Sequence, residues 1–192
     1  MYYMASVKPI VSLNEYKAMF DVMEVDTSKQ ANIDAAVNLI NKGKQRYLSV
    51  TVKLNIKCPW YALGIVHYME GGCNFSKHIH NGDPLTARTW QVPAGRPLAA
   101  PKFGSSYTWE ESAEDWFKLK NWHKWQDWGV ADILYRLEAN NGMGYRKRSE
   151  ATPYLWSFTN HYERGKFVAD GKYDEDAVSK QVGAAILLKE LM

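Results

Sequence analysis

The chain has little that would hold it together from outside its own core. It contains two cysteines, Cys58 and Cys73, too few for a disulfide scaffold, and they are expected to stay as thiols or to form one incidental bridge. No segment reaches the roughly 18–20 apolar residues needed to span a bilayer, so no membrane anchor is expected. No basic block is present, and 24 Lys+Arg against 21 Asp+Glu leave a formal charge of +3, which offers nucleic acid no electrostatic footprint. The first residues, MYYMASVKPIV, lack a basic start followed by an apolar run and do not read as a signal peptide. Internal repeats, low-complexity tracts and linkers rich in Pro, Gly and Ser are also missing. The 192 residues therefore read as one domain, expected to be monomeric and large enough to bury a core unaided.

What is abundant is aromatic surface, at 14% of the chain with 8 Trp and 12 Tyr. Two readings stand side by side: an aromatic-rich core, or a groove that stacks flat apolar faces such as sugar rings.

Local patterns are mainly helical. Ser12 and Glu15 have the spacing of a capping box, which predicts a helix over 12–23. A second helix is predicted over 32–41. In YLSVTVKLNIK, residues Leu48, Val50, Val52, Leu54 and Ile56 alternate with polar neighbours, which is a strand signature. Pro59 suits the first turn of a helix in which Leu63, Val66, His67 and Glu70 share one face, and Gly71–Gly72 supplies its stop. Residues 74–101 are polar and rich in turn formers, with room for a small hairpin and no long helix. Thr108 and Glu111 form another capping box, Asp127 is placed to cap a helix closed by Gly142, and a last helix is predicted over 174–190 with Val178, Val182, Ala185 and Leu188 buried.

Chemistry concentrates at the end of the Glu70 helix and in HIHNGDPLTART, residues 78–89. Glycoside cleavage needs one acid that keeps its proton and a second, ionised group. A carboxyl in the last turn of a helix lies beside the negative end of the macrodipole, and partial burial acts in the same direction, so Glu70 suits the proton donor. Asp83, in a polar turn with Asn81 and Thr86, suits the ionised partner. A surface Glu and a turn-shaping Asp are the plainer reading of the same two residues. His67, Cys73, His78, His80 and Asp83 could supply zinc ligands, but H-x-H without H-E-x-x-H or a paired C-x-x-C is a weak signal. A nucleophilic Cys73 is disfavoured because its thiol follows a helix end rather than opening a helix.

The stretches HYMEGGCNFSKHIHNGDPLTART, VPAGRP, TWEESAEDW, GYR and PYLWSFTNHYERGKFVADGKYD together resemble a family of lysozyme-like peptidoglycan hydrolases of bacteriophages and bacteria. The likeness runs from about Lys57 to the last helix, and the first 30 or so residues fall outside it as an N-terminal extension packed on the domain. It implies an α+β, mostly helical lysozyme-like fold with a small β-hairpin or loop-rich lobe after the Glu helix. It implies a glycosidase of the endolysin type that cuts β-1,4 bonds of peptidoglycan without a cofactor or metal. Glu70 would be the general acid and Asp83 the second catalytic carboxylate. His80, Asn81, Thr86, Thr89, Tyr145, Tyr154, Trp156 and Asn160 would bind the glycan. Relatives place a helix before the Glu helix, which favours helix over strand for 44–54. With no signal peptide read, the enzyme would wait in a host cytoplasm and act on the wall after release. A lytic transglycosylase or chitinase-like enzyme on the same scaffold, a wall-binding module without catalysis, and a zinc-dependent wall peptidase are the alternatives.

Overall fold

The computed structural model describes residues 12–192, so residues 1–11 of the expected N-terminal extension lie outside it. Among the described residues the chain is mostly helical with one small antiparallel sheet, a mostly helical α+β fold. In chain order the elements are α1 (Leu13–Asp21), α2 (Gln30–Lys42), α3 (Lys44–Lys53), α4 (Trp60–Gly71), α5 (Trp109–Leu119), α6 (Val130–Asn141), α7 (Gly144–Arg148), α8 (Pro153–Trp156), β1 (Lys166–Ala169), β2 (Lys172–Asp174) and α9 (Ala184–Leu191).

Helix α4 is the axis. Six consecutive residues, Ala62 to His67, are buried, and a helix buried around its whole circumference needs neighbours on every side. Helices α2, α3 and α9 supply them. Gly64 allows the closest approach: a Cβ there would lie 2.7 Å from Ile40 Cγ2, so any larger residue would push α2 away. The helix ends as its sequence predicts. Gly72 takes a left-handed φ of 57°, as does Cys73, and the Cys73 N–H reaches back to the His67 carbonyl, which satisfies a carbonyl of the last turn. His67, Tyr47, Phe75 and Trp109 pack ring against ring beneath that end. Burial holds the His67 imidazole down at about 4, so it is neutral and shares a 3.1 Å hydrogen bond with the Tyr47 hydroxyl.

Several expectations are corrected by tertiary contacts. The alternation at 48–56 does not make a strand: the helix that the resemblance favours for 44–54 forms as α3, because burial follows Tyr47, Val50 and Thr51, and Val52 is 74% exposed. Ser12 does cap α1, but its oxygen accepts from the Asn14 N–H, and the Glu15 carboxylate pairs with Arg146 instead of closing a capping box. Gly129, not Asp127, is the N-cap of α6. By contrast, the Thr108–Glu111 capping box forms in full. The last helix is much shorter than predicted. Asp174 belongs to β2 and turns the chain by accepting from the Asp176 and Ala177 N–H groups, and Val178 is 52% exposed. Helix begins only after Gly183, whose backbone lies so close to the Leu155 and Ser157 carbonyls that no side chain would fit. Residues 74–101 contain a single bridge, Lys77 to Pro84, and the two-stranded sheet is β1–β2 near the end of the chain. Both cysteines are free and buried.

Helix α1 is attached to α6 through a buried charge. Glu138 accepts the Tyr16 hydroxyl at 2.6 Å and two Arg146 nitrogens at 3.0 Å, with Arg146 also bonded to Glu15. Removing one partner from a buried ionic network strands the others and costs roughly 3–5 kcal/mol. Because Arg146 retains Glu15, Glu138→Ala should lose about 3 kcal/mol, at the low end of that range. Urea unfolding of the two proteins measures it, and an unchanged midpoint would mean that α1 is held by its apolar face alone.

Candidate active site

Glu70 lies in the last turn of α4, one residue before its end. Its Oε1 accepts two hydrogen bonds, from the Tyr154 hydroxyl at 2.8 Å and from Asn140 Nδ2 at 2.9 Å. Oε2 has no hydrogen-bond partner among the described residues, and the residue keeps an open face to solvent. The protein is nevertheless packed closely around the carboxyl. That burial raises its pKa against the opposing pull of Tyr154, Lys120 and Asn140. Burial also drives the Tyr154 hydroxyl well above its usual range, with Glu70 acting in the same direction, so Tyr154 stays a donor. The result is a carboxyl fixed at one oxygen, open at the other and biased toward keeping its proton.

Asp83 is placed differently. It is buried in the 74–101 segment and its carboxylate is fully engaged. Oδ2 accepts from Asn81 Nδ2, the Trp90 N–H and the Gln91 N–H, and Oδ1 accepts from Gln91 Nε2. Burial raises the Asp83 carboxyl, but these donors outweigh it and hold the pKa below the ordinary 3.8. Lys120 is the charged group that acts on Glu70 among the described residues.

A second polar network fastens the same segment to α5. His78 Nε2 meets the Ala87 carbonyl at 2.8 Å, and His78 Nδ1 meets Ser112 Oγ at 2.8 Å. His80 Nδ1 meets the same Oγ at 3.1 Å, and His80 Nε2 meets Asp115 at 2.9 Å. These four contacts need four protons, whereas Ser112 and two neutral imidazoles supply three. All four are made only when one imidazole is cationic. Burial opposes this, pulling His80 down to about 4 against Asp115. Arg96 joins the cluster at Asp115 Oδ2, 2.7 Å away.

Of the residues expected to bind a glycan, the structure brings Tyr154 to Glu70. Asn81 and Thr89 are committed to the loop: Asn81 bridges Asp83 and the Gln91 carbonyl, and Thr89 donates to Pro93 and accepts from Arg96. His80 faces α5, and Thr86 is exposed with no hydrogen bond among the described residues. Tyr145 is buried under the sheet with its oxygen accepting the Phe167 N–H, and Trp156 is a core residue packed on His161. Asn160 ties down the chain after α1 through the Val22 carbonyl and the Glu24 N–H. Asn140 escaped the sequence reading because ANNG reads only as a helix stop; its role depends on where α6 crosses the end of α4.

A cavity of about 460 Å³ lies elsewhere, walled by Asp26, Lys29, Ser157, Phe158 and Tyr162 among others, and Glu70 does not line it. Of the two acids in its wall, Asp26 and Glu163, Asp26 is held below its usual range by hydrogen bonds with Ser28, as a helix-capping carboxylate is. The carboxyl biased toward keeping its proton is that of Glu70, outside this cavity. Among the described residues, no three of His, Cys, Asp and Glu are grouped to hold a metal ion.

Asp83→Asn should loosen the segment, because an amide nitrogen would face donors that now meet an oxygen. A carboxyl with a depressed folded pKa contributes stability above its unfolded value and loses it as pH falls through the folded value. The variant's deficit in thermal midpoint should therefore be complete at neutral pH and shrink below about pH 4. A deficit independent of pH would assign the effect to shape instead of charge.

Comparison with models of protein families, with curated proteins and with solved structures finds no match to this chain.

Proposed function

We propose that this chain cleaves β-1,4 bonds in the glycan strands of peptidoglycan, with Glu70 as the proton donor. The observation that carries the proposal is the state of the Glu70 carboxyl: raised in pKa by burial, anchored at Oε1 by Tyr154 and Asn140, and open at Oε2. A general acid of this kind gives its proton to the leaving oxygen as the glycosidic bond breaks. The choice of peptidoglycan rests on the resemblance of residues 67–89 and the later motifs. Asp83 as second carboxylate belongs to the same reading. Its carboxylate is ionised, as the role demands, and the role would require it to give up some of its four donors.

One observation favours a second reading in the same class. Among the described residues, Tyr154, Lys120 and Asn140 act on Glu70, and none of them is a carboxylate. A lytic transglycosylase needs only one acid: after donating its proton, the carboxylate takes one from the sugar's own hydroxyl, which attacks the anomeric carbon. Mass spectrometry of the digest separates the two, since hydrolysis leaves reducing ends and transglycosylation leaves anhydro ends.

Glu70→Gln should lower cleavage by about 10²–10⁴-fold, because glutamine keeps the two hydrogen bonds possible but has no proton to deliver. It should also leave the fold intact. A carboxyl whose folded pKa is raised above the ordinary 4.5 destabilises the native state progressively as pH rises from that value through the folded one. The variant should thus match wild type in acid and gain on it toward neutral pH, by less than about 1 kcal/mol because the group is partly solvated. Clearance of permeabilised cells and thermal midpoints on one preparation test both halves. A folded Glu70→Gln protein with full activity would end the glycosidase proposal.

A further inference from the structure

Four residues before Asn140 on α6 is Arg136, 7% exposed and without a hydrogen bond or ion pair among the described residues. Its guanidinium is caged by three indoles: the carbon is 3.1 Å from the Trp125 ring centre, 5.5 Å from Trp128 and 5.8 Å from Trp122. Stacking on tryptophan accounts for the placement of the charge, but a ring face accepts little from N–H groups in the guanidinium plane. Arg136 Nε is sealed from solvent and unpartnered, and so is the neighbouring Trp125 Nε1. Asp132, one turn earlier, supports the charge from a distance without forming an ion pair; burial lowers the guanidinium to about 10, so it is cationic at neutral pH. Buried donors in folded proteins are almost always paired, and these two, on adjoining elements, can still take an acceptor.

The position of these two donors gives them meaning. Residues i and i+4 of a helix are neighbours, roughly 6 Å apart, so Arg136 adjoins the residue that holds Glu70. The tryptophan segment reaches the same spot from the other side, since it follows Lys120, the cation that acts on Glu70. Asn140 Oδ1, lying between them, is itself buried without a donor. Along this one face of α6 the chain presents an unpaired acceptor, then an unpaired planar cation walled by aromatic rings.

We infer that Arg136 and its tryptophan cage form a carboxylate-recognising subsite next to Glu70, which selects glycan units bearing an acidic substituent over neutral N-acetylglucosamine units. The guanidinium pairs with the carboxylate as a fork, Trp125 Nε1 adds a third donor, and the indole faces take the apolar part of the substituent. This rests on the reading of Glu70 as the acid of glycan cleavage and adds a specificity to it.

The test uses the full chain with Glu70→Gln, so that sugars bind without turnover, and reads tryptophan fluorescence and calorimetric Kd. The probes are a muramoyl disaccharide with its free lactyl carboxylate, the same disaccharide carrying a stem peptide, and chitobiose, which has no carboxylate. At least one carboxylate-bearing probe should bind about tenfold or more tightly over chitobiose, with the advantage falling as salt is added. Comparison of the two acidic probes tells whether the lactyl or the peptide carboxylate is read. In Arg136→Met the preference should vanish while chitobiose binding persists. If that variant does not keep its near-ultraviolet dichroism, Arg136→Lys retains the charge without the fork and should reduce the preference severalfold. Equal affinity for all three probes, no binding of any, or a preference that survives Arg136→Met overturns the inference. The Glu70 proposal is judged apart from it, by whether the unsubstituted enzyme releases cleaved glycan.

Discussion

Helix α4 can exist only with protein packed around it. Six consecutive buried residues leave no solvent face, so α2, α3 and α9 must close on it, and Gly64 sets how near α2 comes. The energetic drive is apolar burial, about 25 cal/mol per Å² removed from water, spread over every side of one element. The same enclosure raises the pKa of Glu70. A carboxyl in the last turn of a buried helix is carried into a crowded place by its neighbours in sequence, where the helix's unpaired carbonyls also disfavour a negative charge. Stability and acid strength are therefore coupled: the packing that builds the core also sets the protonation of the group at its rim.

The sequence makes α4 legible because its signals agree with its surroundings: an apolar run, Pro59 before it and Gly72 after it. The Thr108–Glu111 box is legible for the same reason, since both partners find each other within four residues. Legibility fails where a distant partner competes. Glu15 has the spacing to close a capping box, yet Arg146 takes it. The 48–56 run alternates like a strand, yet the side that meets α4 follows helical spacing through Tyr47, Val50 and Thr51. The 174–190 segment has helical periodicity, yet Asp174 is drawn into β2 and helix waits until Gly183. At the site, Glu70 and Tyr154 carry local signals, whereas Asn140 carries none. It lies 70 residues from Glu70 and its contact exists only because α6 crosses the end of α4.

The polar groups of the molecule divide into two populations. On the side of the 74–101 segment they are nearly saturated: Asp83 takes four donors, Asp115 binds Arg96, His80 and the Leu98 N–H, and Thr89 both donates and accepts. Such networks make a segment with little regular structure rigid, because each group that moves leaves a buried partner unpaired. Beside Glu70 the pattern inverts. Oε2 of Glu70, Oδ1 of Asn140, the Arg136 guanidinium and Nε1 of Trp125 all lack partners among the described residues. These four groups come from α4, α6 and the tryptophan segment, so no single local irregularity explains them. Among the described residues, single buried groups without partners also occur at Trp109 Nε1, Glu150 Oε2 and Ser157 Oγ; those beside Glu70 are set apart by following one another along α6 and its tryptophan cage. Unpaired groups cost native stability, and a molecule that supplies the missing partners recovers that cost on binding. The unpaired row along α6 is the feature on which the proposed carboxylate subsite rests.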